Sequence, residues 1–183
     1  MDEFLAVFDR FADSPTSTTV FRWEGHQNYD VAYDDPSLQA WREGTARPER
    51  SVRTDTWLAR IAASTLVGKQ WTRVRYVIEP PSEYTAWELV AHAEAQAAGE
   101  RILIALNSTC SLPDFWIFDG TDDSDRYAVV MHYDTAGAVL SLEYRQAATK
   151  LTELREAASH LPSTAVPLNA YLAHHRPQVS GAA

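Results

Sequence analysis

Apolar residues at Phe4, Leu5, Val7, Phe8 and Phe11 recur with the i, i+3, i+4, i+7 spacing of an amphipathic helix. Asp2 and Glu3 suit its positive end, and Pro15 lies just beyond its close. The period then changes. In TSTTVFRWE, β-branched and aromatic residues predict a strand with Val20, Arg22 and Glu24 on one face and Phe21 and Trp23 on the other. After a polar turn over 25–28, Tyr29, Val31 and Tyr33 alternate with Asp30, Ala32 and Asp34, which predicts a hairpin partner for that strand. Asp35 and Pro36 have the form of an N-cap and a first-turn Pro, opening a short helix through Leu38 and Trp41 that ends near Gly44.

Residues 45–54 hold Arg47, Arg50 and Arg53 without apolar periodicity and read as an exposed loop. From Asp55, a helical stripe of Trp57, Leu58, Ile61, Ala62, Thr65 and Leu66 runs to Gly68. QWTRVRYVIEPP predicts a strand with Trp71, Arg73, Arg75 and Val77 on one face and Val74, Tyr76 and Ile78 on the other. A helix then starts at Ser82 or Glu83, passes through Tyr84, Trp87, Glu88 and Ala91, and ends at Gly99 before the strand RILIAL. Strand, helix and strand within about thirty residues predict one right-handed parallel crossover. DFWIFD is a further strand, DRYAVVMHYD and AVLSLEYR form a hairpin around Thr135, Ala136 and Gly137, and LTELREAASHL closes as a helix.

The expected fold is α+β: a mainly antiparallel sheet of six or seven strands, with helices from Phe4, Asp55, Glu83 and Leu151 packed largely on one side. One domain over 1–176 with a frayed tail at 177–183 accounts for the chain. Phe8, Trp57, Leu58, Val74, Tyr76, Phe115, Ile117 and Val130 are the expected core.

Composition narrows the function classes. Sixteen basic against twenty-five acidic side chains give a formal charge of -9, which opposes direct binding to a phosphate backbone. The lone Cys110 has no internal disulfide partner, and no charged-then-apolar leader or apolar run near membrane-spanning length is present. A cytoplasmic protein without membrane attachment is expected.

Alternation places Arg22 with Glu24, and Arg73 with Arg75, on shared strand faces. Such a cluster can grip a carboxylate or phosphate through the planar guanidinium fork, or form an ion-pair ladder on a solvated face. Glu79, Glu88 and Glu100 flank the crossover helix; held close, carboxylates share a proton or bind a metal, whereas apart they serve a helix face and a cap. The acidic run Asp119, Asp122, Asp123 and Asp125 lacks the ligand order of an EF-hand loop, and neither His92 with Glu94 nor His174 with His175 has zinc spacing. No metal and no cofactor are therefore expected. His132 has no neighbour on its own strand face to orient it, and seven Gly include no phosphate-cradling or dinucleotide motif and no nucleophile elbow.

The segment RVRYVIEPPSEYTAWELVAHAEAQAAGE, followed by DFWIFDGTDDSDRYAVVMHYDTAG, resembles a family of uncharacterised actinobacterial proteins, common in Streptomyces and its relatives, catalogued only as a domain of unknown function. The matching positions are Arg73, Val74, Arg75, Glu79, Pro80, Tyr84, Trp87, Glu88, Gly99, Glu100, Asp114, Phe115, Trp116, Phe118 and Asp119, with VFRWEGHQNYDV matching further upstream. The chain departs from the family's pattern at RILIALNSTCSLP and in a longer acidic turn after Asp119. The resemblance implies a regulatory association, because genes of that family often lie near those for helix-turn-helix regulators and small acidic proteins.

With no catalytic motif in view, the expected function is a non-enzymatic regulatory or protein-interaction module acting with a transcriptional regulator. Its expected partner is a helix-turn-helix regulator or a small acidic protein. The alternative is a small-molecule-binding protein or enzyme that takes a small anionic ligand in a pocket of Arg22, Glu24, Arg73, Arg75, Glu79, Tyr84, Glu88 and Trp116. A deep cavity favours the second and a flat apolar patch the first.

Overall fold

The computed structural model describes residues 2–30, 35–106, 112–146 and 148–175. Among the described residues, seven strands form one sheet in the order β6-β5-β4-β1-β2-β3-β7. They are β1 (Ser17–Glu24), β2 (Gln70–Val77), β3 (Arg101–Leu106), β4 (Asp114–Gly120), β5 (Tyr127–Tyr133), β6 (Val139–Arg145) and β7 (Val166–Pro167). Six α-helices among the described residues accompany them: α1 (Asp2–Ala12), α2 (Asp35–Arg42), α3 (Thr56–Leu66), α4 (Glu83–Ala97), α5 (Ala148–Thr164) and α6 (Leu168–His174).

The sheet is mixed rather than mainly antiparallel. Four pairings are antiparallel, but the centre is parallel, β1 with β2 and β2 with β3. The crossover β2-α4-β3 stands as expected, and the long connection through α2 and α3 supplies a second one between β1 and β2. That second crossover displaces the expected hairpin partner of β1, since β4 and β2 occupy its two edges. Residues 31–34 of that expected strand lie outside the described residues, as does Cys110.

Local chemistry explains the boundaries. Asp55 caps α3 by accepting from the Leu58 amide at 2.9 Å, and Ser82 caps α4 by accepting from the Thr85 amide at 3.0 Å. Gly68 and Gly99, at φ of 94° and 114°, take the left-handed turns that release the chain into β2 and β3. A Cβ at Gly99 would also sit 2.8 Å from Thr65 Oγ1.

Alternation along the strands separates two cores. Phe21, Trp23, Val74, Phe115, Ile117 and Val130 face α5 through Leu151, Leu154 and Leu161. Val20, Trp71, Val77, Trp116 and Phe118 face the opposite way, against α1, α3, α4 and α6. The helix from Leu151 therefore packs across the sheet from the others, so helices cover both faces. Of the expected core, Trp57 and Tyr76 are half-buried and the other six are buried. Leu66, assigned to the buried stripe of α3, is 87% exposed.

Candidate functional site

The helix-rich face of the sheet changes character halfway along. Toward one end its strands carry Trp71, Val20 and Phe118; toward the other the same face carries Arg22 and Glu24 on β1, Arg73 and Arg75 on β2, and Asp114 and Trp116 on β4. Parallel pairing of β1 and β2 sets Arg22 beside Arg73 and Glu24 beside Arg75. Above them lies α4, whose Glu88 and His92 share one face because they are four residues apart.

These charges are buried, so the solvated-ladder expectation is overturned. Arg22, Glu24, Arg73, Arg75, Glu88 and Glu100 are each at most 8% exposed. Each ion is instead paired with an opposite charge among its neighbours, as burial demands. Glu24 Oε1 accepts from Arg73 Nη1 at 2.5 Å and from Arg22 Nε at 3.2 Å. Arg73 Nε donates to Glu100 at 3.0 Å, so Glu100 is an ion-pair partner as well as a cap residue, its amide donating to the Ala95 carbonyl at the end of α4 at 3.1 Å. Arg75 Nε donates to Glu88 at 2.8 Å, and its Nη atoms reach Thr85 Oγ1 and the carbonyls of Glu24, His26 and Tyr76.

Asp114 closes the cluster, accepting from Tyr29 Oη at 2.5 Å, the Gly25 amide at 2.8 Å and Arg22 Nη2 at 3.4 Å. The guanidiniums also lie over rings, Arg22 over Trp116 at 4.8 Å and Arg75 over Tyr29 at 5.3 Å.

Proton affinities follow from this packing. Burial opposes ionisation of Glu24, but Arg73, His92 and Arg22 outweigh it and hold the carboxyl well below its ordinary value. Burial lifts the Tyr29 phenol well above its ordinary value despite Arg75, and lifts Tyr133 likewise. Desolvation works against the charge on Arg22, Arg73 and Arg75, yet the surrounding carboxylates and phenols raise all three.

The cluster opens into a cavity of about 640 Å³. Its polar side includes Arg22, Glu24, Asp30, Arg50, Arg73, Glu88 and His92, and its apolar side includes Trp57, Tyr84, Trp87, Trp116 and Tyr133. Four groups retain unused capacity: Glu100 Oε2 has no hydrogen-bond partner, Glu24 Oε2 and His92 Nε2 meet at 3.4 Å without hydrogen-bond geometry, and Arg73 makes its bonds through Nε and Nη1 alone. Three guanidiniums face the four carboxylates of Glu24, Glu88, Glu100 and Asp114, which leaves one net negative charge when His92 is neutral. Glu24, Glu88 and His92 also bring one ligand atom each to within 4.8 Å of one another, a set able to hold a cation.

Of the eight sequence candidates, Arg22, Glu24, Arg73, Tyr84, Glu88 and Trp116 line this cavity, and Arg75 lies beneath it as the anchor of Glu88. Glu79 stands apart. It is exposed beyond the end of β2 and pairs with His175 at 2.8 Å, while burial and Glu79 together push the nearby Tyr171 phenol up to about 12. Sequence reasoning did not place Tyr29, Asp114 or Tyr133 in the site, and it weighed His92 only with Glu94 and set it aside. His92 was legible, because Glu88 and His92 are i and i+4 on a helix that the sequence already predicts.

A second concavity of about 600 Å³ lies between the α1–β1 turn and the end of α3. Its Lys69 is held by the carbonyls of Ala12 and Ser14, so that cation has backbone partners already. No helix among the described residues is long and apolar enough to cross a membrane.

The profile of a family described as a domain of unknown function (DUF6879) matches residues 3–173. No curated protein and no solved structure matches the chain.

Proposed function

We propose, for a chain that belongs to the DUF6879 family and inherits no function from it, that the cavity over β1, β2 and α4 binds a small molecule. One observation carries the reading: an open cleft of about 640 Å³, within the usual size of ligand sites, has aromatic walls and a buried charged floor with acceptors to spare. The walls suit a flat apolar body. The floor suits a cationic or donor-bearing head group, because Glu24 Oε2 accepts no hydrogen bond of good geometry and the buried ions already sum to a negative charge. A free carboxylate or phosphate meets arginines that carboxylates already hold, so this reading changes the expected anionic ligand to a cationic or neutral donor.

The interaction-module reading draws on the family resemblance, and the concave, charged site favours the small-molecule one. A regulatory partner fits as the recipient of a ligand signal.

Native mass spectrometry of the protein captured from cell extract, with EDTA present throughout, tests the proposal. A co-purifying small molecule is expected, together with saturable quenching of tryptophan fluorescence by arylalkylamines and not by the matching arylalkanoates. Ala91→Trp, which fills the cavity wall, abolishes both. A protein that is always empty and binds no amine of the panel refutes the reading.

A further inference from the structure

We infer that Glu24, Glu88 and His92 form a binding site for a first-row divalent transition cation, of which zinc is the probe. The inference goes beyond the small-molecule reading: it shares that cavity but requires no organic ligand.

Convergence is the first observation. The three residues come from two elements whose local spacing gives no metal motif, yet one ligand atom from each lies within 4.8 Å of the others. His92 Nε2 and Glu24 Oε2 are 3.4 Å apart. In a tetrahedral site with metal–ligand bonds of about 2.1 Å, neighbouring ligand atoms are separated by about 3.4 Å. The pair therefore has the spacing of one edge of such a site without being moved.

Burial without partners is the second, independent observation. Glu24 and His92 are each 5% exposed and Glu88 is 8% exposed. Glu24 Oε2 and His92 Nε2 nevertheless meet each other at 3.4 Å without hydrogen-bond geometry, a costly condition for polar atoms shielded from water. A cation between them satisfies both.

The supporting contacts have the form that metal ligands require. Arg22 and Arg73 hold Glu24 through Oε1 and leave Oε2 available, and Arg75 holds Glu88 through Oε2. Outer contacts of this kind fix the direction of a ligating carboxylate. They also lower its charge, which matters for the choice of ion. An imidazole nitrogen with two partly neutralised carboxylates suits zinc, iron, cobalt or manganese better than calcium, which takes six or more oxygens. The buried set carries one net negative charge with His92 neutral, so a dication plus one hydroxide or anionic ligand brings it to zero. Three protein ligands leave a fourth position for that group, and the residues border the cavity through which it enters.

The test uses the full chain stripped with EDTA, then dialysed and titrated with zinc chloride by isothermal calorimetry at pH 7.5. One equivalent is expected to bind. His92→Gln is the principal variant because the near contact of His92 is Glu24 Oε2 at 3.4 Å, to which the Gln amide can still donate. It lowers zinc affinity more than about 100-fold, beyond the loss seen for outer-contact residues alone. Glu88→Gln gives a second loss of the same order. Cobalt provides another readout, since a tetrahedral site gives intense visible absorption that His92→Gln abolishes.

Absence of saturable zinc binding to the wild-type chain overturns the inference, as does binding that His92→Gln leaves intact. The calorimetry contains no organic ligand and the mass spectrometry contains EDTA. Failure of either proposal therefore leaves the other standing.

Discussion

Replacing Arg75 with Met removes the most enclosed charge of the site while keeping an unbranched apolar stem. Arg75 is 0% exposed. Its loss leaves Glu88 without its counter-ion at 2.8 Å and takes a donor from three carbonyls and from Thr85. Breaking a buried pair from one side costs about 3 to 5 kcal/mol. In a chain of this size that lowers the melting temperature by about 6 to 20 °C. Arg75→Met/Glu88→Leu removes both charges, and about half or more of the loss should return, because an apolar replacement for a buried pair is often close to neutral. Urea unfolding followed by the fluorescence of the six tryptophans measures both variants. A single variant that loses less than about 1 kcal/mol, or a double variant no more stable than the single, refutes the picture of Arg75 as the buried anchor of Glu88.

Tyr29→Phe should cost about 1.5 to 3 kcal/mol, the usual worth of a hydrogen bond to a charged group, measured by the same unfolding assay. Spectrophotometric titration should show that the wild-type Tyr29 phenol stays protonated well above pH 10, so the two proteins should differ little in phenolate absorbance at that pH. Because the folded state depresses Glu24 below its ordinary 4.5, its contribution is present above that pH and is lost as pH falls toward the folded value. Glu24→Gln should therefore be less stable at pH 7 and show a flatter acid limb in melting temperature against pH; parallel profiles would contradict the assignment. Gly99→Ala forces a side chain into a φ of 114° and toward Thr65, and should cost about 1 kcal/mol or more in urea unfolding, whereas Leu66→Ser on the exposed end of α3 should stay within about 0.5 kcal/mol.

Period-two alternation made the contents of each sheet face readable. It put Arg22 with Glu24 and Arg73 with Arg75, and it separated Phe21 and Trp23 from them. Which strands become neighbours is decided by long-range pairing, so the burial of these charges was not readable. An Arg on an alternating strand looks the same under a helix as under water. The side chosen by α5 was hidden for a related reason: Leu151, Leu154 and Leu161 declare an apolar stripe but not which face receives it. Tyr29 was assigned to a strand because its neighbours alternate, while its role comes from Asp114, 85 residues away. β7 is two residues long and includes Pro167, too short for periodicity to register, and α6 follows without a side-chain cap.

The central strand also constrains how the chain is assembled during synthesis. β1 pairs with β2 on one side and with β4 on the other, so Arg22 meets Asp114 only after 92 further residues exist. A nascent chain that has made β1 alone holds an unpaired edge on both sides, the condition that invites aggregation. Arg22 and Glu24 interrupt the apolar run of Val20, Phe21 and Trp23 with charge, the pattern by which gatekeeper residues oppose aggregation. The ions that later line the cavity floor thus protect the segment before the cavity exists, and an apolar substitution at Arg22 should lower soluble yield during expression more than it lowers the stability of protein already folded.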